Sequence, residues 1–96
     1  MPRESTLVKR IMTDARRRGA WCTKLHGGPY QAAGLPDLVI VYRAHTLWVE
    51  CKTGGAVTVI QQRHFAIMRE AGAVVIVAHT AGEVAAALDA IDRELE

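Results

Sequence analysis

The sequence predicts an α/β domain of order αβββαβα, in which helices flank a mixed four-stranded sheet. Three observations carry this. Apolar residues recur at helical spacing in three separate stretches. Four short runs of β-branched and apolar residues lie between and beside them. The first three runs follow one another directly, whereas a helical stretch separates the third from the fourth. Three successive strands form an antiparallel meander, and a helix before the fourth permits a parallel crossover.

The elements follow in order. Leu7, Val8, Ile11, Met12 and Ala15 place a helix over residues 4–18. Arg16, Arg17 and Arg18 fall in its last turn, where positive charge suits the helix dipole, and Gly19 stops it. Residues 20–26 are a short strand. Residues 27–35 carry three glycines and a proline and form a loop. Residues 36–43 (PDLVIVYR) read as a strand buried on both faces for most of its length, and residues 46–52 (TLWVECK) as its return. Ala44 and His45 are expected to form the turn between them. Ile60, His64, Met68 and Ala71, with Phe65 and Ile67 beside them, give a helix over 59–71, closed by Gly72. Residues 73–78 (AVVIVA) read as a fully buried strand. Val84, Leu88, Ile91 and Leu95 give a last helix over 81–95.

Length and composition bound the rest. The 96 residues make one domain, 1–96. Area scaling leaves roughly 64% of the unfolded surface buried, enough for one modest core that a partner subunit would help. Half the residues are hydrophobic and 23% charged, a globular composition. The longest apolar run, residues 73–78, is far short of a membrane span. No signal peptide is apparent, and the expected location is the cytoplasm. Cys22 and Cys51 are too few for a disulfide framework and read as small buried hydrophobes. His26, His45, His64 and His79 lack zinc-ligand spacing; His45 reads as a turn residue and His79 as a loop residue. Trp21 and Trp48 read as core or interface, with base stacking as the alternative. Residues 1–52 hold nine Lys/Arg against four Asp/Glu, so the basic half favours an anionic partner.

The chemistry concentrates between Pro36 and Lys52. Glu50 and Lys52 lie two apart on one strand, so both point the same way. With the turn at Ala44–His45, Asp37 falls opposite Lys52 and one diagonal step from Glu50. Two carboxylates and an ammonium thus converge at the open end of an apolar hairpin. Burying them is costly unless they pair or bind a metal. Such carboxylates suit Mg²⁺ or Mn²⁺, hard cations that also bind phosphate oxygens and can activate water. The pattern points to metal-assisted phosphodiester hydrolysis. The plain alternative is a surface Asp–Lys pair with Glu50 solvated at a sheet edge.

The stretch Gly34-Leu35-Pro36-Asp37-Leu38, followed by Trp48-Val49-Glu50-Cys51-Lys52, resembles the PD-(D/E)XK nuclease motif and, within that superfamily, the VRR-NUC group. The resemblance covers nearly the whole chain. It takes in Glu4 at the first helix, the Lys24-x-His26-Gly27-Gly28 segment, Thr58-x-x-Gln61 at a helix start, and Ala71-Gly72 before an apolar strand. Val59 departs from it, standing where relatives often carry proline, which should alter the loop and not the chemistry.

The resemblance implies a restriction-endonuclease-like core. It makes Asp37 and Glu50 metal ligands, joined by the backbone carbonyl of Cys51. Lys52 becomes the catalytic lysine and Gln61 the helix glutamine that orients lysine, water or phosphate, with Gln62 adjacent. Glu4 matches an acid reaching into the site as a further ligand, or else is an ordinary first-turn acid. DNA phosphates could be met by Arg3, Lys9, Arg10, Arg16, Arg17, Arg18, Lys24, His26, Tyr30 and Gln31, or these could be solvated surface. The implied activity is structure-selective DNA cleavage with Mg²⁺ or Mn²⁺ as cofactor. The expected form is a homodimer acting on branched DNA in the manner of a Holliday junction resolvase, in recombination, repair or phage replication. The alternatives are a flap, nicking or linear-duplex nuclease, a non-catalytic DNA-binding module, and a protein-interaction domain, for which the basic half has no use.

Overall fold

The computed structural model describes residues 3–25 and 34–96. The elements are α1 (Glu4–Arg17), β1 (Trp21–Lys24), β2 (Leu38–Tyr42), β3 (His45–Cys51), α2 (Val59–Glu70), β4 (Val74–Ala78) and α3 (Ala81–Glu94). The sheet runs β1-β2-β3-β4, antiparallel between the first three strands and parallel between β3 and β4. The αβββαβα mixed-sheet fold expected from the sequence is the fold observed.

Strand alternation divides the sheet into two faces. Leu38, Ile40, Leu47, Val49 and Cys51 point to one face and pack with Leu7, Ile11 and Ala15 of α1 and Val84, Leu88 and Ile91 of α3. Asp37, Val39, Trp48 and Glu50 belong to the other face, where α2 lies and buries Phe65. Among the described residues no helix is long and apolar enough to cross a membrane.

The stop at Gly19 has a defined geometry. Ala20 N–H donates to Ala15 C=O at 3.0 Å and Gly19 N–H to Arg16 C=O at 3.0 Å. This pair of bonds needs a left-handed residue after the helix, and Gly19 supplies it at φ +89°.

Four expectations are corrected. The β2–β3 turn is Arg43-Ala44, not Ala44-His45, and Tyr42 pairs with His45, which opens β3. Arg43 and Ala44 take φ +50° and +69°, the left-handed values of a tight two-residue hairpin, without the Gly or Asn that usually signals one. Asp92 of α3 pins this turn, accepting from Tyr42 Oη at 2.7 Å and Arg43 Nη1 at 2.8 Å. Second, β4 is an edge strand with Val74 exposed, not a fully buried one. Third, of the apolar stripe on α2 only Phe65 is buried; Ile60 and Ile67 are 60% and 66% exposed, because the helix packs mainly on the edge strand β4. Fourth, β1 ends at Lys24, although Leu25 N–H still donates to Asp37 C=O at 2.8 Å. Both cysteines are buried and free, and Trp21 is 59% exposed.

Candidate active site

The site stands where the β2–β3 ladder runs out. Its last paired residues are Leu38 and Val49, so the next step sets Asp37 opposite Glu50, not Lys52. Opposite Cys51 comes Pro36, which has no N–H to return to the ladder. Cys51 N–H donates instead to Asp37 Oδ2 at 2.7 Å. Asp37 is thereby fixed at the mouth of the hairpin, on the same face as Glu50.

Glu50 is 2% exposed and is the buried charged residue among those described. Gln61 Nε2 donates to its Oε2 at 2.9 Å, and Lys52 Nζ approaches the same oxygen at 3.7 Å. The other oxygen, Oε1, is buried with no hydrogen-bond partner. Burial, then the Asp37 charge, push the Glu50 carboxyl up to about 7; the Gln61 hydrogen bond and Lys52 pull the other way without overcoming them. The two carboxyl groups lie close enough to share a hydrogen bond when one holds a proton. Cys51 is driven up to about 12 by burial and by Asp37, Glu50 and Glu4, so its thiol stays protonated and inert. Glu4 is exposed at the start of α1.

The orientation of Gln61 follows from its partners. Thr58 caps α2: Gln61 N–H donates to Thr58 Oγ1 at 3.1 Å, and Thr58 N–H donates to Gln61 Oε1 at 3.1 Å. This reciprocal box satisfies two orphan donors of the helix start. It also commits Oε1 as acceptor and leaves the NH₂ end for Glu50. Gln62 turns away, donating to Val57 C=O. Gly34 explains the glycine before Leu35-Pro36-Asp37. A Cβ there would stand 3.2 Å from Gln61 Cα and from Ile60 O, and φ is +86°. Only glycine lets the Asp37 approach lie against the first turn of α2. The sequence showed Gly34 as part of a motif but not this packing reason.

The basic residues separate into groups. Arg3, Lys9, Arg10 and Lys24 are exposed. Arg16 donates to Cys22 C=O at 3.3 Å, Arg17 stands 3.9 Å from Asp14, and Arg18 pairs with Asp89 at 2.7 Å. These three lie at the opposite end of α1 from Glu4, about 20 Å away at 1.5 Å per residue. His26, Tyr30 and Gln31 lie outside the described residues.

A mixed four-stranded sheet between helices, with an acidic pair at the end of its central hairpin, is the arrangement that the resemblance to the PD-(D/E)XK motif implied. The likeness to solved structures is closer still. A VRR_NUC domain superposes with a TM-score of 0.77 over 90% of this chain and 94% of its own, at 24% identity. Hjc, a Holliday junction resolvase from Archaeoglobus fulgidus, superposes with a TM-score of 0.58 over 77% of this chain and 65% of its own, at 15% identity. No protein-family model and no curated protein matches the chain. The fold is thus the one that the motif resemblance implied.

Proposed function

We propose that the chain is a divalent-metal-dependent DNA endonuclease of the junction-resolving kind. The observation that carries this reading is Glu50, a buried carboxylate with one unpartnered oxygen, facing a second carboxylate at the end of a hairpin. Among the described residues no three His, Cys, Asp or Glu side chains converge as a metal cage. Two carboxylates with a main-chain carbonyl and solvent suit an ion that keeps several waters, as Mg²⁺ and Mn²⁺ do. Asp37, Glu50 and the Cys51 carbonyl would hold it, with Glu4 as a further acid at the rim. When bound, the ion supplies Lewis acidity at the phosphoryl group and lowers the pKa of a water.

The chain's own groups do the rest. Lys52 carries a positive charge beside Glu50, where its Nζ can donate to an attacking water or to a phosphate oxygen as charge develops. Gln61 holds the Glu50 carboxylate in one orientation, with its own far end tied to the helix cap. Arg3, Lys9, Arg10, Lys24, His26, Tyr30 and Gln31 serve as DNA contacts in this reading. Arg16, Arg17 and Arg18 lie some six base pairs away at roughly 3.4 Å each, a reach suited to a duplex arm and not the scissile phosphate. Junction preference is supported by the likeness to Hjc. Two-fold pairing would hold two sites at a fixed separation.

The test is cleavage of an immobile four-way junction beside a linear duplex of the same arms, with Mg²⁺ or Mn²⁺ and Glu50→Gln as control. Paired symmetric cuts in the junction, absent in the variant, are expected. Equal cutting of both substrates would remove the junction preference. Metal-independent cutting, or cutting by the variant at the wild-type rate, would overturn the site.

A further inference from the structure

His79 follows β4 directly and takes no part in the chemistry described above. Its ring Nδ1 lies 3.0 Å from the carbonyl oxygen of Lys52. A carbonyl only accepts, so Nδ1 carries the hydrogen and donates. The backbone N–H of His79 donates to Glu83 Oε2 at 2.8 Å, which ties the residue to the first turn of α3. On the other side of the same peptide unit, Lys52 N–H donates to Ala78 C=O at 2.9 Å. Lys52 is thus gripped at both main-chain groups by consecutive residues, Ala78 and His79. It needs that grip, because β3 ends at Cys51 and the chain then enters the exposed Gly54-Gly55 turn, which cannot stiffen it.

We propose that His79 is a positioning residue for Lys52: its Nδ1–H fixes the Lys52 carbonyl and so aims the lysine side chain at Glu50 and the substrate. The proposal rests on the nuclease reading for its kinetic consequence, but the contact itself can be tested without it. Through Glu83, the start of α3 becomes part of what supports the lysine. The ring also borders a groove of about 370 Å³ with Thr6, Arg10 and Thr80, where Nε2 could instead meet a DNA phosphate. The two roles use different ring nitrogens, so substitutions separate them. Asparagine places its NH₂ where Nδ1 stands; glutamine reaches the place of Nε2.

The experiment compares single-turnover junction cleavage and DNA affinity for His79→Ala, His79→Asn and His79→Gln, with the carbonyl ¹³C resonance of Lys52 as an activity-independent readout of the hydrogen bond it accepts. His79→Ala should slow cleavage about tenfold or more, as small misplacements of reacting groups do. DNA affinity and its salt dependence should stay within twofold of wild type, and the Lys52 carbonyl resonance should move upfield. His79→Asn should restore both rate and resonance position; His79→Gln should restore neither. An unmoved Lys52 carbonyl resonance in His79→Ala would overturn the proposal, whether or not the protein cuts DNA. Rescue by Gln and not Asn, with the loss in affinity and salt slope, would overturn it in favour of a phosphate contact. A wild-type chain that cuts nothing would defeat the nuclease reading alone, and the carbonyl resonance would still decide the contact.

Discussion

Glu50 is where the chain accepts an unfavourable arrangement. A carboxylate with its surface buried, one oxygen unpartnered and another carboxylate beside it is costly as an anion. The folded-state value of about 7 lies above the ordinary 4.5, so between these the folded protein keeps a proton that the unfolded chain has lost. The unfolded state then binds fewer protons, and stability without metal falls as pH rises from about 4.5 to about 7. The full penalty, present above that window, is on the order of 3 kcal/mol at about 1.4 kcal/mol per pH unit. Glutamine cannot ionise and still accepts from Gln61. In metal-free buffer at pH 8, Glu50→Gln should therefore melt on the order of 10 °C or more above wild type, with most of the gap closed at pH 5. Equal melting temperatures at both pH values would show that Glu50 carries no such cost. A bound divalent cation offsets the same penalty, so metal affinity should rise with pH up to about 7 and then level off.

Elements position the site through a few contacts at their ends. Gly34 lets the β2 approach lie against α2, and Thr58 and Gln61 lock the start of that helix over Glu50. Gly34→Ala adds both a strained φ, costing about 1–2 kcal/mol, and a collision with α2. Gly19→Ala adds the strain alone, since nothing lies within 4 Å of its new Cβ. Gly34→Ala should therefore lose more stability than Gly19→Ala, and only Gly34→Ala should also slow cleavage, by displacing Gln61. Equal cleavage by the two, measured well below their melting temperatures, would remove Gly34 from the positioning of the site. The hairpin shows how far such placement is legible in sequence. Arg43-Ala44 carries no turn signal, and the register inferred for the strands was two residues off. An even shift leaves every side chain on its own face, so Asp37, Glu50 and Lys52 still converged. The exchange of partners, Glu50 in place of Lys52 opposite Asp37, was the part lost. The edge position of β4 was not legible either, because VVIVA reads the same at an edge as in the interior. His79 gave no signal, since its partner is 27 positions away and is a backbone atom.

At the scale of the whole molecule, the two ends of the sheet do different work. At the turn end, Asp92 ties Tyr42 and Arg43 to α3, while Asp89 holds Arg18 at the end of α1. These ties close the core layer and leave the other end of the hairpin for chemistry. The acidic pair lies there, with the start of α1, the start of α2 and the end of β4 around it. That division gathers charged side chains in an apolar hairpin at a cost in stability, which the proposed metal site would offset. The most direct test is calorimetric titration of Mn²⁺ into the wild-type chain and Glu50→Gln at pH 8. The account predicts saturable binding in the wild type that is lost in the variant. Saturable binding of equal strength in both, or none in either, would contradict it.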